Sequence, residues 1–252
     1  MEKIKVYVAV HKIAPKYGDE CYQMIHVGAQ KTNVDIPNSI KDDCCTDNIS
    51  SKNNIYCELT GLYHVWKNIE DIEYVGLCHY RRLPAKRNGL GRKVVLTGGQ
   101  LLEILSLYDI ILPEQKTKNG VVNGYFHMQD TSINEYRPYK LMLPVIKNLY
   151  PDYEEDFKLE FHTPSMSYGN IMVCSKTLFD SYCKWLFDIL FNIEKNIKES
   201  GDEVQARELG YYSEWLLNVW VRHEKLKVKY VPLFLPEEKS LPSKVIEKFK
   251  KL

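Results

Sequence analysis

The chain has 252 residues, 44% hydrophobic and 12% aromatic, with 34 Lys and Arg against 33 Asp and Glu. That length supports a sizeable core without metal or disulfide reinforcement. The formal charge of +1 withholds the field that nucleic-acid binding needs. Seven cysteines without a CxxC pair argue against a disulfide framework or a zinc ribbon and read as reduced thiols of a cytoplasmic protein. The apolar run near the N-terminus is too short for a secretory signal, and no stretch approaches the roughly 18 apolar residues of a membrane span.

KVYVAV (residues 5–10) alternates as a buried strand does and ends at His11 and Lys12, ahead of Pro15. A second extended piece, MIHVGA (24–29), leads into an Asn-, Asp- and Ser-rich loop over 31–53. Ile55, Leu59, Leu62 and Trp66 recur at helical spacing and predict a helix over 54–68, capped by Ser51 or Asn53. EYVGLC then reads as a strand that stops at HYRR. Thr97-Gly-Gly-Gln100 has capping-box spacing and opens a short helix through Leu101 and Leu105, before the strand YDIILP (108–113). Strands alternating with helices imply a mainly parallel, Rossmann-type α/β sheet with right-handed crossovers.

Residues 114–164 are polar and Tyr-rich, with a helix near 139–149, and read as an insertion over a site within one domain. SYGNIMVCS (167–175) returns to strand character, and Leu178, Tyr182, Trp185, Ile189 and Ile193 form a helical stripe. SEWLLNVWVRHEK reads as a last helix capped by Ser213, KVKYVPLFL as a final strand, and 236–252 as a basic tail suited to peripheral membrane contact. Dinucleotide, P-loop, zinc-protease and α/β-hydrolase signatures are missing. In parallel α/β sheets ligands bind beyond the carboxyl ends of the strands, which singles out His79, Tyr80, Arg81 and Arg82.

Seven pieces, VYVAVHK, VGAQ, DNISSKNNIYCELTGLYHVWKN, YVGLCHYRR, YDIILP, GNIMVCSKTLFDSYCKWLF and GYYSEWLLNVWV, together resemble a family of bacterial glycosyltransferases of capsular and exopolysaccharide loci, long catalogued as a domain of unknown function. The resemblance spans nearly the whole chain. It implies a GT-A type fold with a nucleotide-sugar-binding half (1–113) and an acceptor and catalytic half (114–235). It also implies transfer of a hexosyl unit, galactosyl or galactofuranosyl among the candidates, from a UDP-linked donor to a growing, lipid-linked glycan. His64, Trp215 and Val10 depart from the pattern, standing where another aromatic, an Arg and a Thr are expected. A non-catalytic nucleotide-sugar or glycan-binding subunit is the alternative.

GT-A enzymes generally place a DxD metal motif where this chain has HYRR. Departure of a nucleoside diphosphate develops negative charge that must be stabilised in place, and guanidinium grips phosphate bidentately. Arg81 or Arg82 is therefore expected to act as the clamp, with no metal ligand assigned and a divalent Mg2+ or Mn2+ disfavoured. Asp42, Asp43 and Asp47 are the alternative oxygen ligands. Expected donor contacts are His11, Lys12, Asp47, Asn48, Lys52, Asn53, Tyr80, Arg82 and Asn170. The helix following Asn53 presents N–H groups suited to anions. Expected catalytic residues are Glu214 as the base, with Glu58 and Asp130 as alternatives, together with Arg81 and His79. His127, Asp130 and Tyr211 are expected on the acceptor.

Overall fold

The computed structural model describes residues 2–117 and 137–236. His127, Asp130 and the tail from 237 lie outside them. In chain order the elements are β1 (Glu2–Val10), β2 (Tyr22–His26), β3 (Ile40–Lys41), α1 (Asn53–Tyr56), α2 (Leu59–Asn68), β4 (Ile72–His79), β5 (Leu83–Arg87), β6 (Lys93–Val95), α3 (Gly98–Leu105), β7 (Ile110–Pro113) and β8 (Lys116–Thr117). Beyond the insertion come α4 (Arg137–Leu149), α5 (Glu154–His162), β9 (Ser165–Met166), β10 (Met172–Ser175), α6 (Lys176–Glu199), α7 (Glu208–His223), β11 (Val228–Val231) and β12 (Leu233–Phe234).

Seven strands form the central sheet in the order β11-β7-β10-β4-β1-β2-β3. β1, β2, β3 and β4 are mutually parallel and β11 is parallel to β7, while β10 runs antiparallel between β4 and β7. The sheet therefore interleaves the two expected halves. Alternation along β1 explains the two-sided core: Ile4, Val6, Val8 and Val10 face one apolar cluster with α3, and Tyr7 and Ala9 face the other, larger one. Gly76 permits the close approach of β10, since a Cβ there would sit 2.6 Å from the Met172 carbonyl oxygen.

The larger cluster fills the space between the sheet and the helices. Along α6, Phe179, Tyr182, Cys183, Leu186, Leu190, Ile193 and Ile197 are buried at helical spacing. α7 is wrapped on nearly every side, with Trp215 stacked on Phe161 at 4.6 Å and Trp220 against Tyr182 at 5.1 Å. Trp215, the departure from an expected Arg, is thus a core side chain with 2% exposure.

Three expected boundaries are corrected. The helix over 54–68 is two helices, because Cys57 takes φ 53° and ψ −131° between α1 and α2. Neither Ser51 nor Asn53 caps it; the Asn53 amide instead donates to the Cys57 carbonyl at 2.7 Å. α7 begins at Glu208 after Arg207 at φ 65°, so Ser213 lies inside the helix rather than at its cap. The capping box at Thr97 and Gln100 forms as expected.

Candidate active site

The sheet positions the site by ending β1 at Val10 and β4 at His79, neighbours in parallel register, so that their exits open together. The chain turns at once after His79. The Arg82 amide donates to the His79 carbonyl at 2.9 Å and the His79 amide donates back at 3.2 Å. Strand alternation would have sent His79 and Arg81 to one face and Tyr80 and Arg82 to the other, but the strand has already ended. Tyr80 is buried and serves as the hub. His11 meets its ring edge-on at 5.5 Å, Arg81 lies 5.2 Å from its centroid and Lys12 lies 5.7 Å away.

The electrostatics confirm a shared location. Burial and then the charges of Arg81, Lys12, His79 and Arg207 lower the pKa of His11. Among the described residues Lys12, Arg81 and Arg82 have no carboxylate within ion-pair distance. Arg207, at the start of α7, joins this field and lies 5.2 Å over the Tyr211 ring. It was not expected from sequence, where the last helix reads as starting at Ser213; a cation three residues before GYYSEW was the available signal.

Beneath the cations sits a polar centre. His79 Nε2 lies 2.7 Å from the Gly169 carbonyl oxygen and 3.6 Å from Glu58 Oε1. Asn170 Nδ2 donates to the same Glu58 oxygen at 2.7 Å and to the Gly210 carbonyl at 3.2 Å, while its Oδ1 accepts from Ser213 Oγ at 2.9 Å. Asn170 is 3% exposed and holds φ 51°, next to Gly169 at φ 91°. Its amide is committed to protein partners, so in this geometry it positions Glu58. Arg82 passes close by, since a Cβ on Gly169 would lie 3.7 Å from its guanidinium.

Glu214 lies on the inner side of the same centre. Its charge, after burial, raises the Tyr168 hydroxyl to about 12, and it contributes with Glu58 to the Cys57 thiol, which burial pushes up to about 11. Glu214 is buried, whereas Glu58 is half-buried.

Side chains of the expected donor loop have protein partners of their own. Lys52 pairs with Glu194 at 2.9 Å, Asp47 accepts from Tyr63 at 2.8 Å, and Asn48 donates to the Cys45 carbonyl at 2.7 Å. Asp42 is fully buried and accepts from the Gly28 and Ala29 amides and from Ser50, which makes it an internal brace. At the end of β2, sequence reasoning also passed over His26, which is 1% exposed and has neither ring nitrogen hydrogen-bonded among the described residues. It lines a cavity of about 270 Å³ with Thr32, Asn33, Asp35 and Lys41.

A mixed α/β sheet with a cationic, carboxylate-backed crevice at its strand exits is the architecture of a glycosyltransferase-like domain. The chain belongs to the family described as domain of unknown function DUF4422, whose model matches residues 5–225. It is also similar to the apo structure of WbbM, a bifunctional glycosyltransferase, with TM-score 0.79 and 27% identity. The match covers 94% of this chain and 46% of that one, so the chain spans about half the length of this neighbour. No curated protein gives a significant sequence match. No helix among the described residues is long and apolar enough to cross a membrane.

Proposed function

We propose that the protein transfers a hexosyl unit from a nucleoside diphosphate sugar, UDP-linked in our reading, to the hydroxyl of a growing glycan of the capsular, exopolysaccharide or lipopolysaccharide kind. The observation that carries this reading is the gathering of His11, Lys12 and Arg81 on the Tyr80 ring at the exits of β1 and β4. A departing diphosphate needs fixed positive charge at its oxygens, and guanidinium groups supply it without waiting for solvent to reorganise. Arg81 and Arg82 take the diphosphate, with Lys12 and Arg207 flanking it and Tyr211 offering its ring to a sugar.

Glu58 is the favoured base for the acceptor proton. It is the more accessible of the two carboxylates, it lies against His79, and Asn170 fixes its orientation. Glu214 supports it from within. A general base must reach the proton it removes, and accessibility decides between otherwise similar groups.

A lipid-linked acceptor is supported by the β5–β6 hairpin. It continues directly from Arg82 and, with the turn before it, carries Arg81, Arg82, Lys86, Arg87, Arg92 and Lys93 without an acidic residue. Leu90 at its tip is 79% exposed. Cations flanking an exposed apolar side chain suit the anionic inner face of a cell membrane.

Incubation with a panel of nucleoside diphosphate sugars and glycan acceptors, with released nucleoside diphosphate as the readout, tests the proposal. Release by the wild-type protein and its loss in Glu58→Gln are expected. Donor binding without release under every acceptor condition would favour a sugar-binding subunit instead.

A further inference from the structure

We propose that Cys44, Cys45 and His64 form a binding site for a thiophilic divalent cation, with Zn2+ as the reference ion, separate from the crevice at the strand exits. Cys44 Sγ lies 4.0 Å from Cys45 Sγ and 3.8 Å from His64 Nε2, and all three ligand atoms fall within 4.8 Å of one another. Zinc bonds of about 2.3 Å to sulfur and about 2.0 Å to nitrogen, at tetrahedral angles, set S···S near 3.8 Å and S···N near 3.5 Å. The two Cys44 spacings exceed these edges by a few tenths of an ångström, and the Cys45–His64 spacing stays within 4.8 Å. Among the described residues no other group of three His, Cys, Asp or Glu side chains brings its ligand atoms together in this way.

The surroundings fit a site whose parts are held before the ion arrives. His64 is 2% exposed and held on α2. Asn68 Nδ2 donates to the His64 carbonyl at 3.1 Å and lies 3.5 Å from Nδ1, while Nε2 faces the thiols. On the loop side, Asn48 holds the Cys45 carbonyl and Asp42 ties the loop to the Gly28 turn. Cys21, Cys78, Cys174 and Cys183 are buried and have no such partner set. Cys44 is exposed, so a fourth position opens to water.

His64 is six residues along the helical segment from Glu58, roughly 9 Å of rise from the proposed base. The ion is therefore placed to fasten the loop over 42–53 to α2 and not to touch a donor phosphate. On binding, two sulfur–metal bonds form and two thiol protons pass to the buffer.

The test is a Zn2+ titration against a chromophoric chelator, with Co2+ substitution in parallel, in a phosphine reductant that keeps the thiols free. One equivalent should bind, Co2+ should show thiolate charge-transfer absorption, and proton release should accompany binding. Cys44→Ser, Cys45→Ser and His64→Gln should each weaken affinity by at least about 100-fold, the upper end of what loss of a supporting contact costs. Because Cys44 is exposed, Cys44→Ser should melt like the metal-free wild type and lose only the Zn2+-dependent rise in Tm. Absence of stoichiometric binding, or binding unchanged in both Cys variants, would overturn the proposal. Glycosyl transfer is not part of the readout, so failure here leaves the strand-exit reading intact.

Discussion

The helical layer and the strand exits treat charge in opposite ways. In the helices cations are matched: Arg137 to Glu208 and Asp202, Arg222 to Glu160, Lys52 and Lys198 to Glu194, Lys176 to Asp180. At the strand exits Lys12 and Arg81 crowd around one Tyr ring, and neither they nor the adjacent Arg82 have a carboxylate within ion-pair distance among the described residues. Matched charges hold a fold together, and clustered like charges weaken it. A molecule that keeps the second arrangement beside the first has reserved those cations for something outside itself.

The sharpest way to break the contrast is to remove the clustered charge. Arg81→Ala with Arg82→Ala should lower kcat/KM for transfer by roughly 100- to 1,000-fold, the scale on which fixed transition-state charge acts. Thermal stability should stay the same or rise slightly, because like-charge repulsion is relieved. A large drop in Tm with donor affinity unchanged would show that the arginines are structural.

The complementary change is Glu208→Gln. Glu208 is 6% exposed and receives Arg137 Nε at 2.6 Å as well as the Tyr212 hydroxyl. Arg137 is about one-third exposed, so solvent screens part of the loss, and a cost of roughly 1–3 kcal/mol is expected. Urea denaturation measures it, and transfer per folded molecule should be near wild type unless the change reaches Arg207 next door.

A smaller effect concerns acid. Burial lowers the pKa of His26 from its ordinary 6.5, so the unfolded chain takes up that proton first as pH falls. The stability from keeping His26 neutral is complete above pH 6.5 and is lost as pH falls toward and through the folded-state value. One such group contributes a slope of at most about 1.4 kcal/mol per pH unit. His26→Leu should flatten the decline of Tm below that point, and an unchanged slope would assign the acid sensitivity to His64 and His11.

Much of the frame is legible in the chain. β1 and β4 announce themselves by alternating apolar side chains, and the Thr97 capping box by residue spacing. The direction of β10 is not, because a period of two carries no polarity. The break at Cys57 is invisible for a different reason: helical spacing continues across it, and the positive φ is imposed by packing. Likewise Ser213 looks like a cap, yet its hydroxyl bonds Asn170, 43 residues away in sequence. The cations of HYRR could be picked out because they are contiguous. The carboxylate behind His79 could not be chosen, since Glu58 meets Asn170 across 112 residues.

Gly210 meters the whole arrangement. A Cβ at that position would sit 3.1 Å from both Cβ and Sγ of Cys57 and 3.4 Å from the Tyr56 carbonyl oxygen. A side chain here would need Cys57 to give by a few tenths of an ångström. One methyl group there would act as a shim, lifting Arg207 and Tyr211 away from the crevice while leaving every reactive side chain in the sequence. Graded spacers that shift the crevice without altering its side chains begin at that contact.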